Sequence, residues 1–296
     1  MTGADQPSGN ALPLALTFTA MVSVQIGAAL AKQMFASVGA EGAVTLRVVL
    51  AAAILMLVLR SWRMTLSWSA LRLVLPYGVI LGVMNLCFYT ALKTVPLGVV
   101  VALEFTGPLA VAVLDSRRAR DLAWVALAVL GVGLMCAPNV HGSVNPRGVL
   151  FALAAGVCWG LYIIFGKRAG ALGGARATTF GMMIAALVVL PFGISTAGAH
   201  LLDLAMLPRA LFVAILSSAL PYSLEMFVMG RLPQRTFGIL MSVEPAIAAL
   251  FGLVLLGETL TALQCVAIAC VIAASLGSVA GIDRKPAVQG AAPGDS

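Results

Sequence analysis

Apolar runs of about 20 residues recur along almost the whole chain, separated by short links rich in Gly, Pro and charge, and a helix of that length crosses a bilayer. Inside hydrocarbon the backbone must satisfy its own N–H and C=O groups, which a helix does within one segment. Of the 296 residues, 61% are hydrophobic and 10% charged, and the mean hydropathy is +1.05. A soluble domain is about half apolar and about a quarter charged. A cytosolic enzyme, a nucleic-acid-binding domain and a disordered chain are therefore excluded, and an all-α membrane protein lying in a lipid bilayer is expected.

About ten spans of about 20 residues would use about 200 positions. The links between them are too short for a second, soluble domain. The runs place helices at about 11–32, 42–59, 71–92, 97–114, 121–138, 147–167, 176–197, 209–230, 235–256 and 260–281. The tail at 282–296 is rich in Gly, Pro and Ala and is expected to be disordered. Ala29-Leu30-Ala31 loosely matches a leader cleavage site, but no Lys or Arg precedes the first run. That run is read as a mature helix.

The net charge is +7, from 18 basic and 11 acidic residues. In a soluble protein this excess would suggest a nucleic-acid partner. Here it sits in the links and carries topology. With the N-terminus in the cytoplasm, thirteen Lys and Arg fall in cytoplasmic links and four (Lys32, Lys93, Arg147 and Arg209) fall outside, while Arg47 lies within a helix. The positive-inside rule then predicts an even span count with both termini cytoplasmic. The five cysteines, Cys87, Cys136, Cys158, Cys265 and Cys270, lie in apolar runs without CxxC spacing. They are expected to be free, buried thiols.

The halves resemble each other weakly. Pro96 matches Pro233 and Pro108 matches Pro245, each pair 137 residues apart, and Asp121 matches Glu258 at the same offset. Each half then holds five helices, at 11–138 and 147–281. Five is odd, so the second copy enters the membrane upside down. About ten transmembrane helices in two inverted five-helix repeats is an architecture of secondary transporters, with the substrate site near the midplane.

A charge at mid-membrane costs about 3 kcal/mol on insertion scales. Glu104, Glu225 and Glu244 all lie within apolar runs, and Arg47 lies about two turns inside the second. Lys32 closes the first run, with Gln25 on the same face. Asn85 and Tyr89 share a face of the third run, and Ser218, Pro221, Tyr222 and Glu225 share one of the eighth. The structural alternative is that a glutamate pairs with Arg47 to lock helices together, that Lys32 snorkels to the interface, and that Asn85 makes an interhelical hydrogen bond. Pro108, Pro221 and Pro245 leave the carbonyls of Glu104, Ser217 and Met241 without their helical donors, as fixed bends or as hinges. Gly78 with Gly82, Gly156 with Gly160, and Gly277 with Gly281 have GxxxG spacing and read as packing. Trp62 and Trp68 read as interfacial belt. His141 and His200 lie in links, and the chain carries no metal-ligand, Walker A or nucleophilic-triad pattern. No cofactor is expected, and the chain is not read as an enzyme.

Several stretches carry a resemblance. They are Ser23-Val24-Gln25-Ile26-Gly27 through Lys32, Val95-Pro96-Leu97-Gly98, and Glu104-Phe105-Thr106-Gly107-Pro108 through Val111. In the second half they are Leu220-Pro221-Tyr222-Ser223-Leu224-Glu225-Met226, Arg235-Thr236-Phe237-Gly238, Met241-Ser242-Val243-Glu244-Pro245-Ala246 and Leu256-Gly257-Glu258. From about residue 14 to about residue 280 the chain resembles the bacterial threonine/homoserine exporters of the EamA-type drug/metabolite transporter superfamily. The resemblance implies two EamA-type halves in an inner membrane, exporting threonine, homoserine and related small amino acids in exchange for protons.

A zwitterion needs an anionic or carbonyl-rich group for its ammonium and a cation or helix N-terminus for its carboxylate. Glu104, Glu225 and Glu244 are candidates for the first role and for proton binding, and Lys32 and Arg47 for the second. Gln25, Asn85, Tyr89, Ser218 and Tyr222 are candidates for holding a substrate hydroxyl. The rival within the superfamily is an exporter of cationic drugs or polyamines, which would leave carboxylates unpaired and need no cation. An intramembrane lipid enzyme lacks its nucleophile here, and a passive channel has no use for several buried carboxylates.

Overall fold

The computed structural model describes residues 11–65, 67–115, 121–135, 145–221, 224, 228 and 240–280. The described residues are helical throughout, joined by turns. The helices are α1 (Ala11–Gln33), α2 (Phe35–Val58), α3 (Trp68–Ala91), α4 (Leu97–Glu104), α5 (Thr106–Asp115) and α6 (Asp121–Met135). They continue with α7 (Pro146–Ala169), α8 (Gly174–Ala197), α9 (Leu207–Ala214), α10 (Glu244–Leu256) and α11 (Ala262–Ala280). Six helical segments are long and apolar enough to cross a membrane, and Leu97–Val111, Leu122–Met135, Leu207–Ala219 and Glu244–Leu256 are shorter apolar ones. The expected tail at 282–296 and His141 lie outside the described residues.

Local chemistry sets the helix ends. Ser67 caps α3, its Oγ accepting from the Ala70 N–H at 3.2 Å. Asn145 caps α7, accepting from the Arg147 N–H at 2.9 Å, with Pro146 in the first turn. Trp62 and Trp68 are exposed at the basic link between α2 and α3, which holds Arg60 and Arg63, with the Arg72 guanidinium 5.5 Å over the Trp68 ring.

Four expected helices are corrected, the ninth, expected at 235–256, by a start of α10 at Glu244. The second, expected at 42–59, starts at Phe35, and the Gly39-containing stretch read as a link is helix around a kink. Gly39 takes φ 70°, which glycine adopts without steric cost. The fourth, expected at 97–114, breaks at Phe105 into α4 and α5. Pro108 cannot donate to the Glu104 carbonyl, and a Cβ on Gly107 would overlap the Gly156 backbone of α7. The eighth opens after Ala214 into a π-turn, Ile215–Ala219, just ahead of Pro221.

Packing places α4 at the centre. Residues Leu97–Glu104 are all buried, enclosed by α7, α10 and α11. Around it α3 lies along α7 and α8, α2 along α8 and α9, α1 against α10 and the π-turn, and α6 against α11. Cys87, Cys158, Cys265 and Cys270 carry no disulfide, and Cys136 lies outside the described residues. Cys265 is exposed and the other three are half-buried, against the expectation of full burial. A small apolar thiol facing lipid loses nothing by that exposure.

Candidate functional site

The kinks decide where the charges meet. Because α2 begins early, Arg47 lies near the middle of that helix rather than two turns from its end. Its Nη2 donates to Asn85 Oδ1 on α3, and its Nη1 donates to the Ser217 carbonyl in the π-turn at 3.4 Å. Asn85 Nδ2 donates to the Leu81 carbonyl at 2.8 Å, which turns the amide oxygen toward Arg47. One turn further along α3, the Tyr89 ring lies under the guanidinium, 5.1 Å from its centroid. Ser23 Oγ of α1 donates to the Leu216 carbonyl at 2.6 Å, which holds the π-turn against α1.

The carboxylates come from two short helices. Glu104 is the last residue of α4 and Glu244 the first of α10. Both are buried, and Glu104 lies within electrostatic reach of Glu244 and of Arg47. Glu244 was expected in the middle of a continuous helix. Instead Pro245 occupies the first turn of α10, where a missing N–H costs nothing. The helix N-terminus there favours a negative charge. Gln25 Nε2 on α1 donates to Glu244 Oε1 at 2.9 Å. Glu104 makes no side-chain hydrogen bond or ion pair among the described residues.

Gln25, Arg47, Asn85, Tyr89, Glu104 and Glu244 thus gather into one buried polar cluster beside Ser217 and Ser218. Gln25 Oε1, Arg47 Nε and Tyr89 Oη are buried there without a hydrogen-bond partner among the described residues, as is Ser218 Oγ of the adjoining π-turn. Unmet donors and acceptors inside a protein are costly, so these atoms mark a place suited to a polar guest. Tyr222 and Glu225 lie outside the described residues. Among the described residues no group of His, Cys, Asp and Glu could hold a metal ion.

Lys32 is not brought to this cluster. Its Nζ lies 2.6 Å from Glu258 Oε1 and donates to the Val95 carbonyl at 3.1 Å, at the far end of α4. In the sequence Glu258 marks the repeat and ends the Leu256-Gly257-Glu258 stretch of the resemblance, and is not among the candidate site residues. The overlooked signal is its position: a carboxylate directly behind the Gly257 helix stop is repelled by its own helix end and suits the N-terminus of another. The Ser217 carbonyl was marked by Pro221, but its partner Arg47 was not foreseeable from that mark.

Comparison with known proteins places these residues in a family context. The profile of the EamA-like transporter family matches residues 146–280. The threonine/homoserine exporter RhtA of Salmonella typhimurium is 48% identical over 279 residues, 94% of this chain and 95% of that protein. The exporter of the same name from Escherichia coli K12 shows the same identity and coverage. A crystal structure 17% identical in sequence superposes with a TM-score of 0.61, covering 92% of this chain and 96% of the other, which supports the fold alone.

Proposed function

Since the chain belongs to the EamA-like transporter family, we propose that it is a secondary transporter exporting small amino acids, threonine and homoserine among them, across a bacterial inner membrane. The observation that carries this reading is that buried Glu104 lies within electrostatic reach of both Arg47 and Glu244. A free amino acid presents an ammonium and a carboxylate a few ångströms apart, and the cluster offers a complement to each. Arg47 is the group for the carboxylate, its guanidinium fixed by Asn85 and the Ser217 carbonyl while Nε stays unmet. Tyr89 Oη and Ser218 Oγ are the groups for a side-chain hydroxyl. An exporter of cationic drugs would have no use for Arg47.

The charge count among the described residues also fits exchange for protons. Glu104 has one arginine and one further carboxylate within electrostatic reach, so these three groups are short of one positive charge when both carboxylates are ionised. Either a proton or the ammonium of a substrate supplies it. Competition between the two couples proton entry to substrate release.

The frame for this transport is two inverted five-helix halves, 11–138 and 147–281, with both termini cytoplasmic. The packing supports the repeat. If each run is exchanged with its equivalent five runs on, the contact between α3 and α7 becomes that between α9 and α1. That between α3 and α8 becomes α9 with α2, and that between α4 and α7 becomes α10 with α1. The pairs α2 with α8, α4 with α10 and α6 with α11 map onto themselves.

Counterflow in proteoliposomes tests the function. Labelled threonine and homoserine are expected to accumulate against unlabelled threonine, and a pH step to change the rate. Accumulation of a cationic drug with no response to threonine would replace this reading by the rival.

A further inference from the structure

Away from the Arg47 cluster, one carboxylate fastens the ends of three helices. Gly257, at φ 67°, stops α10, and the N–H of Glu258 donates back to the Gly252 carbonyl at 3.0 Å. The Glu258 side chain turns to its neighbours. Its Oε1 takes Lys32 Nζ of the last turn of α1 at 2.6 Å, and its Oε2 accepts from the Leu97 N–H, the first of α4, at 2.7 Å. Lys32 also reaches the Val95 carbonyl, and Gln33 Nε2 donates to the Leu255 carbonyl of α10 at 3.0 Å. Both charges sit where helix ends favour them, the carboxylate at an N-terminus and the ammonium in a last turn.

This knot lies over a buried part of the core. Leu92, Val95, Leu97, Val99 and Val100 beneath it are buried. From the knot, α4 and α10 run antiparallel to the charged cluster: Leu97 lies beside the end of α10, Gly98 against Ala249 in its middle, and Glu104 within reach of Glu244 at its start. The path along α4 is about 10 Å, at about 1.5 Å per residue. A short rigid helix of that kind passes a movement of one end directly to the other. The pair is also only partly buried, with side-chain exposures of 21% and 15%, so water can receive both charges when it parts.

We propose that Glu258 is a positioning residue for transport. Its ion pair with Lys32 is the latch of the path's closed end, released and remade in every cycle, and it sets through α4 and α10 how Glu104 stands to Glu244. The proposal rests on the transport reading above.

The test uses the full chain in proteoliposomes. In a Lys32→Cys/Glu258→Cys variant, a reducible bifunctional thiol reagent of about the ion pair's span is expected to cut threonine exchange at least tenfold. Reduction should restore exchange, and the single variants should not respond to the reagent. Undiminished exchange in the bridged double variant would mean that the latch need not open. A second measurement serves if the double variant does not transport. Val95→Cys, buried beneath the latch, should react slowly with a membrane-impermeant maleimide, and adding Glu258→Gln should raise that rate about tenfold without substrate. Equal labelling with and without Glu258→Gln overturns the proposal. The labelling needs no substrate, so failure of the chain with its native Lys32 and Glu258 to exchange threonine sinks the transport reading separately.

Discussion

Arg47 Nη1 lies 3.4 Å from the main-chain oxygen of Ser217, the carbonyl whose α-helical donor is missing because position 221 is proline. A proline in one apolar run and an arginine in another thus solve each other's problem. The freed carbonyl would be costly inside a membrane, and so would the guanidinium. Together they fix a cation in the middle of the bundle with its Nε still unmet.

That arrangement predicts how Arg47→Gln behaves. A hydrogen bond to a charged group contributes about 1.5–3 kcal/mol, so threonine affinity should fall by about tenfold to a hundredfold. A decarboxylated analogue should be spared. Competition binding with both ligands on one preparation reads the difference. Equal losses for the two would remove Arg47 from the carboxylate site. Arg47→Lys should not rescue threonine, because a single ammonium cannot keep both Asn85 and the Ser217 carbonyl while meeting a carboxylate.

The topology follows from the distribution of Lys and Arg, thirteen against four. An alkaline phosphatase fused after Ser296 should be inactive and a fluorescent protein at the same place bright. An active phosphatase there would require an odd number of spans.

Much of this was legible in the sequence for a plain physical reason: hydrocarbon makes every polar residue conspicuous. Glu104, Glu244, Arg47, Asn85 and Gln25 stood out because apolar runs surround them, and they do converge. Helix breaks were less legible. Pro108 and Pro221 marked real distortions, but Pro245 looked like a kink and is a helix start. A single proline is compatible with either. Gly39 and Glu41 looked like a link and belong to a bent helix. Pairings across the bundle were hidden altogether. Nothing local distinguishes Lys32, which finds Glu258 226 residues away, from Arg47, which finds Asn85.

The crossing of α5 with α7 gives a test of the fold apart from function. Gly107 has no room for a side chain, because a Cβ would overlap the Gly156 backbone, and a Cβ on Gly156 would in turn lie 2.8 Å from the Glu104 carbonyl oxygen. Overpacking of this kind costs about 1–3 kcal/mol. Gly107→Ala should therefore lower the apparent Tm in detergent by several degrees. Gly133→Ala, which meets open space, should leave it unchanged. Equal thermal stability for the two variants would refute the close crossing.

The two carboxylates should respond differently to the same isosteric change. Glu244 Oε1 accepts from Gln25 Nε2 at 2.9 Å, so Glu244→Gln loses a charge-assisted bond and the favourable charge at the start of α10. About 1–3 kcal/mol of stability should go with it. Glu104 makes no such bond among the described residues. Glu104→Gln removes a buried carboxyl that lies near another, so the protein should insert and be as stable as before, or more so. Export is a separate matter. If the excess negative charge of the pair is what a proton and an ammonium compete for, Glu104→Gln should abolish pH-driven export while leaving the folded protein intact. Thermal stability and threonine counterflow are measured on both variants and on the double. A stable Glu104→Gln protein that still exports threonine against a pH step would show that this carboxylate takes no part in coupling. Loss of stability in Glu104→Gln but not in Glu244→Gln would mean that the roles of the two residues have been interchanged.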